Sequence, residues 1–348
     1  MTPREEVVRV LVVDDDSSQV GELMHVLGRD GGIAVVGQAS TADGLLPLID
    51  QTQPGAIVLD LHLRDGSSQR AIEHVMAHTP TPILVLSARI DDRHSASAVD
   101  ALVAGAVDAL PRPRRWTPEL AAELRRTVRQ ISKVSVIRHP RGRGATPSRP
   151  QTRPQAERRV VVTLAASTGG PSALAVVLAG LAGLQAPVLV VQHLHPEFTS
   201  GLVEWMSRVS ALPVEIAKHD ELARPGRVYF APGDLHLRLG ASFRLELAAK
   251  PDAIHRPSAD QLFNSAAESA GAAAVGVLLT GMGDDGARGL LAIRRRGGHT
   301  LAQDEESCAV FGMPKAAQRL GAVTDMLPLN RLADSIHRVV SEVADARA

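Results

Sequence analysis

Short aliphatic runs alternate along the chain with longer segments whose apolar positions recur every three or four residues. Runs bounded by turn-forming residues predict strands, and the intervening period predicts amphipathic helices. In the first half the strand-like runs are Val7–Val13, Ile33–Gly37, Ala56–Asp60, Ile83–Ser87 and Val107–Leu110. In the second they include Val160–Ala165, Val188–His193, Val228–Ala231, Ala274–Thr280 and Thr300–Gln303. Most are continuously apolar, as expected of strands covered on both faces, so each half predicts a parallel α/β sheet. The stretch from Val228 to Leu247 reads instead as antiparallel ribbon, because Gly233-Asp234 and Gly240 punctuate it at hairpin spacing.

The alternation breaks once. Residues Arg138–Arg159 carry four prolines and seven arginines against one glutamate, with almost nothing apolar. Such a segment buries too little surface to offset chain entropy and predicts an extended tether. Its arginines leave contact with an acidic partner or RNA as the other reading. The expected division is a domain at 1–131, a linker at 132–158 and a second domain at 159–348, with no internal repeat. The length of 348 residues agrees with two domains at about 150 residues each.

Composition narrows the function classes. Lys+Arg and Asp+Glu both number 38, so no whole-chain field favours nucleic acid or anionic lipid. Aromatics at 2% are too few for a base-stacking platform, which leaves aliphatic cores. One cysteine excludes an internal disulfide framework and a cysteine-rich zinc site, and fits a reducing compartment. The opening MTPREEVVRVLVVDDD turns acidic before a signal-peptide core could form, and no apolar run approaches the roughly 18–20 residues of a membrane span. The expectation is a cytoplasmic protein without membrane insertion.

In the first half, one run ends in Asp14-Asp15-Asp16 and another in Asp60. The carboxyl ends of parallel strands gather at one edge, where ligands bind. Carboxylates crowded there repel one another, and a hard cation such as Mg²⁺ with oxygen ligands relieves the conflict. The competing reading is that the acid triplet caps the next helix. Ser87 ends a further run and Arg112 follows another, bringing a hydroxyl and a cation to the same edge. That set suits phosphoryl transfer, in which charge stabilisation and positioning do the work. Over roughly residues 7–130 the chain resembles the receiver domain of two-component response regulators. The resemblance implies Asp60 as phosphoacceptor, Asp14 and Asp15 as the acid pair holding Mg²⁺, the His62 main-chain carbonyl as a further ligand, and Ser87 as switch hydroxyl. Three positions depart from the family pattern: Arg112 stands for its lysine, Arg64 for a proline and Ser68 for a glycine. Arg112 keeps the charge but replaces a compact ammonium with a planar fork.

In the second half, a run leads into Ser167-Thr168-Gly169-Gly170-Pro171. A serine after a strand, followed by glycines and a helix, can have its hydroxyl presented by a sharp turn, with following N–H groups aimed at an oxyanion. Ser167 as a simple helix cap is the alternative. A second run ends in Gln192-His193, and His195 is the rival histidine, displaced beyond the strand and followed by Pro196. A third leads into Thr280-Gly281-Met282-Gly283-Asp284-Asp285-Gly286, where one acid can hold an imidazole and Asp284 can cap a helix. Serine, histidine and aspartate at three strand ends match a nucleophile, a general base and its orienting carboxylate. Their chain order differs from the Ser, Asp, His of α/β-hydrolases. Cys308, the rival nucleophile, has no such partner set and reads as a small buried residue.

These segments, with Phe198-Thr199, Ala231-Pro232-Gly233, His255-Arg256-Pro257-Ser258, Asp260, Leu262-Phe263, Ala302-Gln303-Asp304-Glu305 and Gly312-Met313-Pro314, resemble the chemotaxis protein-glutamate methylesterases. Ala165 departs from the family's glycine two residues before the serine, and Pro196 sits one place late. The resemblance implies a flavodoxin-like receiver and a Rossmann-like serine esterase, both doubly wound. It implies a triad of Ser167, His193 and Asp285. The implied reactions are hydrolysis of γ-glutamyl methyl esters on membrane chemoreceptors and deamidation of receptor glutamines, with a chemotaxis histidine kinase as phosphodonor. Backbone N–H groups of Thr168 and Met282 are the expected oxyanion donors. Mg²⁺ serves the receiver, and the esterase needs no cofactor. A DNA-binding regulator is the first rival, but the second half has no basic recognition helix. A non-catalytic response regulator that docks on receptors is the second, and an esterase of a non-motility chemosensory pathway stays open.

Overall fold

The structure is a computed structural model that describes residues 7–88, 92–134 and 160–345. It divides into two compact units, Met1–Gly142 and Arg143–Ala348. The tether reading of 138–159 lies outside the described residues. Val134, three residues into the expected linker, is buried, so the packed chain runs past Ser132.

The first unit runs β1 (Val8–Val13), α1 (Ser17–Gly28), β2 (Ile33–Ala39), α2 (Leu45–Thr52), β3 (Ala56–Asp60), α3 (Ser68–His78), β4 (Ile83–Ala88), α4 (Asp92–Ala104), β5 (Asp108–Arg112) and α5 (Pro118–Ile131). Its sheet is parallel with order β2-β1-β3-β4-β5, the flavodoxin-like winding. The central β3 is buried at every position, as its unbroken AIVLD run requires. Asp16 caps α1 by accepting the Ser18 and Gln19 N–H groups. The helix-cap reading of the acid triplet thus holds for its third member and leaves Asp14 and Asp15 to the sheet edge.

The second unit contains β6 (Val161–Ala166), α6 (Gly170–Ala179), β7 (Val188–Gln192), α7 (Thr199–Val209), β8 (Val214–Ile216), β9 (Val228–Phe230), β10 (His236–Leu239), β11 (Leu245–Ala248), α8 (Ala259–Ala270), β12 (Ala274–Leu278), α9 (Ala287–Arg295), β13 (His299–Gln303), α10 (Met313–Arg319), β14 (Asp325–Leu327) and α11 (Leu329–Asp345). Seven strands form one parallel sheet, β14-β13-β12-β6-β7-β9-β8. The antiparallel reading of 228–247 needs correction at its start. β10 and β11 pair as the expected ribbon, but β9 joins the main sheet parallel to β7 and β8. Its VYF side chains are wholly buried, and that buried apolar surface places it between two covered layers rather than in a ribbon.

From β6 the chain winds to β7 on one side, while β12 enters on the other. The switch point of the sheet therefore lies between β6 and β12, where an open α/β sheet leaves a crevice at its carboxyl edge. β6, β7 and β12 are buried throughout, which fixes their ends firmly. Ala165 fits without strain: it is fully buried between Leu278 and Val191 in the strand ladders.

Candidate active site

At the end of β6, the Ser167 N–H donates to the Thr280 carbonyl at 3.0 Å, drawing the serine toward β12. The Gly170 N–H closes a tight turn on the Ser167 carbonyl at 2.8 Å. Gly169 takes a φ of 75° and is the N-cap of α6, a conformation that favours glycine. The Ser167 hydroxyl caps nothing; α6 has no side-chain cap. Gly281 faces the serine from β12's end, where an added Cβ would come within 2.8 Å of Ser167 Cβ. Gly281 therefore leaves room beside a half-buried serine.

The end of β7 brings in the histidine. The His193 N–H continues the ladder onto the Ala166 carbonyl at 2.9 Å. The Gln192 side-chain amide donates to the carbonyls of both Ser167 (2.8 Å) and His193 (2.9 Å), tying nucleophile turn to base strand. His193 Nε2 lies 2.8 Å from Asp285 Oδ2. Its other nitrogen, Nδ1, is buried and has no hydrogen-bond partner among the described residues. The imidazole stacks on His255, with ring centroids 4.3 Å apart and 10° between planes.

Asp285 is the carboxylate with the most hydrogen-bond partners among the described residues of the unit. Beside His193 it accepts from Ser258 Oγ (2.9 Å) and from the N–H groups of Ala259 (2.7 Å), Asp260 (3.0 Å) and Gly286 (3.0 Å). The Ala259 and Asp260 amides are free donors in the first turn of α8, where negative charge is favoured. Burial pushes the Asp285 carboxyl up, but the His193 contact and these amides outweigh it and hold the group well below the usual carboxylate range. Asp284 is exposed, and Gly286, not Asp284, is the N-cap of α9, so its expected capping role is not found.

His195 is engaged elsewhere. Its Nδ1 accepts the Glu197 N–H and caps the short turn Pro196–Phe198. Cys308 is buried, and burial pushes its thiol up to about 12, which suits packing rather than attack. The Ser167 hydroxyl makes no hydrogen bond among the described residues, so no serine–imidazole bond is closed in this state; such bonds often tighten only with substrate. The N–H groups of Thr168 and Met282 likewise have no partner among the described residues and remain available as donors.

The first unit gathers a second constellation. Arg112 Nη2 lies 2.5 Å from Asp14 Oδ2 and its Nη1 lies 3.0 Å from Asp60 Oδ2. Asp15 Oδ2 accepts the Arg64 N–H at 2.8 Å and faces the Arg64 side chain at 3.5 Å. Burial pushes the Asp60 carboxyl up, and the Arg112 charge is the main counterweight. The Asp60 carboxylate also accepts the His62 N–H. Ser87 is fully buried near the end of β4. Carboxylate and carbonyl oxygens are a donor set for a hard divalent cation, and two guanidinium groups drawn onto those carboxylates show that the pocket attracts positive charge. Among the described residues no group of three or more histidines, cysteines or acids stands close enough to hold a metal ion as the side chains now lie.

Sequence reasoning gave no role to Gln192, Ser258, His236 or Arg64. Ser258 is held in turn by its N–H on His236 Nδ1 at 3.1 Å. Gln192 and Ser258 sat inside motifs already singled out, and Arg64 was noted only as a departure.

A flavodoxin-like domain with an acid pocket, followed by a parallel α/β domain with serine, histidine and aspartate at its switch point, is the class of protein defined here. The CheB methylesterase family model matches residues 162–336, and the response regulator receiver domain model matches residues 10–124. A protein-glutamate methylesterase/protein-glutamine glutaminase of Anaeromyxobacter dehalogenans is 42% identical over 343 residues, 97% of each chain. One of Pseudomonas aeruginosa is 38% identical over 338 residues, 94% of this chain and 96% of its own. The crystal structure of the Thermotoga maritima CheB methylesterase catalytic domain matches with a TM-score of 0.51 and 36% identity, covering 53% of this chain and all of that one. The chain belongs to the protein-glutamate methylesterase/protein-glutamine glutaminase family and is a hydrolase with a receiver domain.

Proposed function

We propose that residues 159–348 form a serine hydrolase that removes methyl groups from glutamate esters of chemoreceptors and deamidates receptor glutamines, under control of a phosphoryl group on Asp60. Residues 1–131 form the receiver, and 132–158 join the two. The observation that carries the reading is the His193–Asp285 contact beside the Ser167 turn, with Nδ1 left unpartnered. With Nε2–H donated to Asp285, Nδ1 holds a lone pair and is the nitrogen that accepts the serine proton. The two ring nitrogens thus exchange the parts they play in the trypsin-type triad.

Ser167 Oγ attacks the ester carbonyl while its proton moves to His193 Nδ1. The tetrahedral oxyanion meets the Thr168 and Met282 N–H groups. As the carbonyl re-forms, the proton passes to the departing methoxy oxygen, and methanol leaves. Water, deprotonated by Nδ1, then cleaves the acyl-enzyme and restores the hydroxyl. For a glutamine substrate the leaving group is ammonia. Asp285 holds the tautomer and stabilises the imidazolium without taking the proton itself.

In the receiver, Asp60 takes the phosphoryl group from a chemotaxis histidine kinase. Asp14, Asp15, Asp60 and the His62 carbonyl would hold Mg²⁺, which when bound neutralises phosphoryl charge. Ser87 and Arg112 meet the new phosphoryl oxygens. The site of action is the cytoplasm; among the described residues no helix is long and apolar enough to cross a membrane. Methanol release from methylated receptor, with and without a small phosphodonor and Mg²⁺, tests the reading. Release that depends on Ser167 and rises with phosphodonor in wild type but not in Asp60→Asn supports it. Release unaffected by Ser167→Ala refutes the esterase assignment.

A further inference from the structure

Two of the three positions at which the receiver departs from its family carry arginine, and both arginines lie on the acid pocket. Arg112 spreads its fork across two carboxylates at different strand ends, Asp14 just after β1 and Asp60 at the end of β3. Its side chain is 10% exposed, that of Asp60 11% and that of Asp14 fully buried, so solvent and salt screen these pairs weakly. Arg64, 79% exposed, contacts Asp15 from the solvent side. The Arg112 pairs differ from each other. The contact with Asp14 is a hydrogen bond, whereas Nη1 faces Asp60 without the angles of one. The hold on the phosphoacceptor is therefore the electrostatic and more readily released half.

We propose that Arg112 is an internal competitor for the divalent cation, with Arg64 a weaker second. The inference rests on the reading of this pocket as the receiver's cation and phosphoryl site. A cation can bind Asp14 and Asp60 only as the guanidinium withdraws, because both claim the same oxygens. Withdrawal leaves buried carboxylates that the incoming charge must satisfy, so cation uptake and Arg112 release are one coupled step. A lysine at 112 would offer a single point charge and could not bridge the two carboxylates in this way. The receiver accordingly takes up Mg²⁺ weakly, and uptake frees the guanidinium to face a phosphoryl group on Asp60. The pocket responds to its kinase only where the cation is abundant enough to displace Arg112.

Calorimetric titration of the full chain with MgCl₂, without phosphodonor, tests this directly. Arg112→Met should tighten Mg²⁺ binding at least tenfold, Arg112→Lys should fall between it and wild type, and Arg64→Gln should tighten it by no more than about threefold. Arg112→Lys keeps a charge beside Asp14 and so guards against a variant that fails to fold. If both Arg112 variants bind Mg²⁺ within twofold of wild type while Asp15→Asn and Asp60→Asn lose it, the cation site stands and the competition is refuted. If Asp15→Asn and Asp60→Asn bind as wild type does, the pocket is not the cation site and the inference falls with that reading.

Discussion

Replacing Asp285 with asparagine changes one atom and should cost nearly all turnover. Three donors, Ser258 Oγ and the N–H groups of Asp260 and Gly286, converge on Oδ1. Asparagine therefore keeps its carbonyl there and turns its amide to the place of Oδ2, where the Ala259 N–H and His193 Nε2 now point. Two consequences follow. The amide donates to Nε2, so the imidazole carries its proton on Nδ1 and cannot accept one from Ser167. The Ala259 N–H, facing another donor in a site whose side chain is only 11% exposed, is left unsatisfied. The first effect should lower kcat by roughly 10⁴, as a wrong tautomer does in a comparable triad. The second should cost about 1–3 kcal/mol of stability, a few degrees in unfolding midpoint for a domain of this size. Methanol release from methylated receptor measures the first and thermal unfolding the second. A soluble, folded Asp285→Asn protein with kcat within tenfold of wild type would refute the claim that this contact sets the tautomer.

Ser167→Ala and His193→Gln should each reduce methanol release by at least 10³-fold with the fold intact, whereas His195→Ala should retain most activity; comparable losses at 193 and 195 would overturn the choice of base. Gln192→Leu removes both amide ties between the serine turn and the histidine strand and should lower kcat about 10–100-fold, with a smaller change in KM; an unchanged kcat would show that the ties do not position the site. In the receiver, burial, with a minor contribution from Glu123, pushes Asp108 up to about 6. Its folded form binds a proton more tightly than its unfolded form, so stability falls as pH rises from about 4 to 6 and stays lower above. Asp108→Asn, which can still accept the Ala109 N–H, should then stabilise the receiver at pH 8 by up to about 3 kcal/mol and about half as much at pH 5. Equal gains at both pH values would refute the argument.

The unbroken apolar runs set the parallel α/β class by themselves, because a strand with no polar face must be covered on both sides. They also put Ser167, His193 and the 280–286 loop at strand ends, and strand ends of a parallel sheet share one edge. Sequence order could not say which edge positions are neighbours. That depends on β12 entering beside β6 while β7 leaves on the other side, a choice made by packing across the whole sheet. The helix caps show the same division. Spacing left the acid triplet legible as either cap or pocket; the receiver resemblance implied Asp14 and Asp15 for the pocket, and the folded chain showed that Asp16 caps the helix. In the 280–286 loop the capping carboxylate serves a helix distant in sequence: Asp285 sits on the first turn of α8, while the helix that follows it, α9, has Gly286 as its N-cap. VYF at 228–230 was misread because a three-residue run carries no pairing direction of its own; burial between covered layers decided it. The identity of Arg64 and Arg112 was visible from the start. That Arg112 falls on Asp14 and Asp60 and Arg64 on Asp15, all in one pocket, is a fact of distance, and distance between residues so far apart in sequence exists only once the sheet has formed.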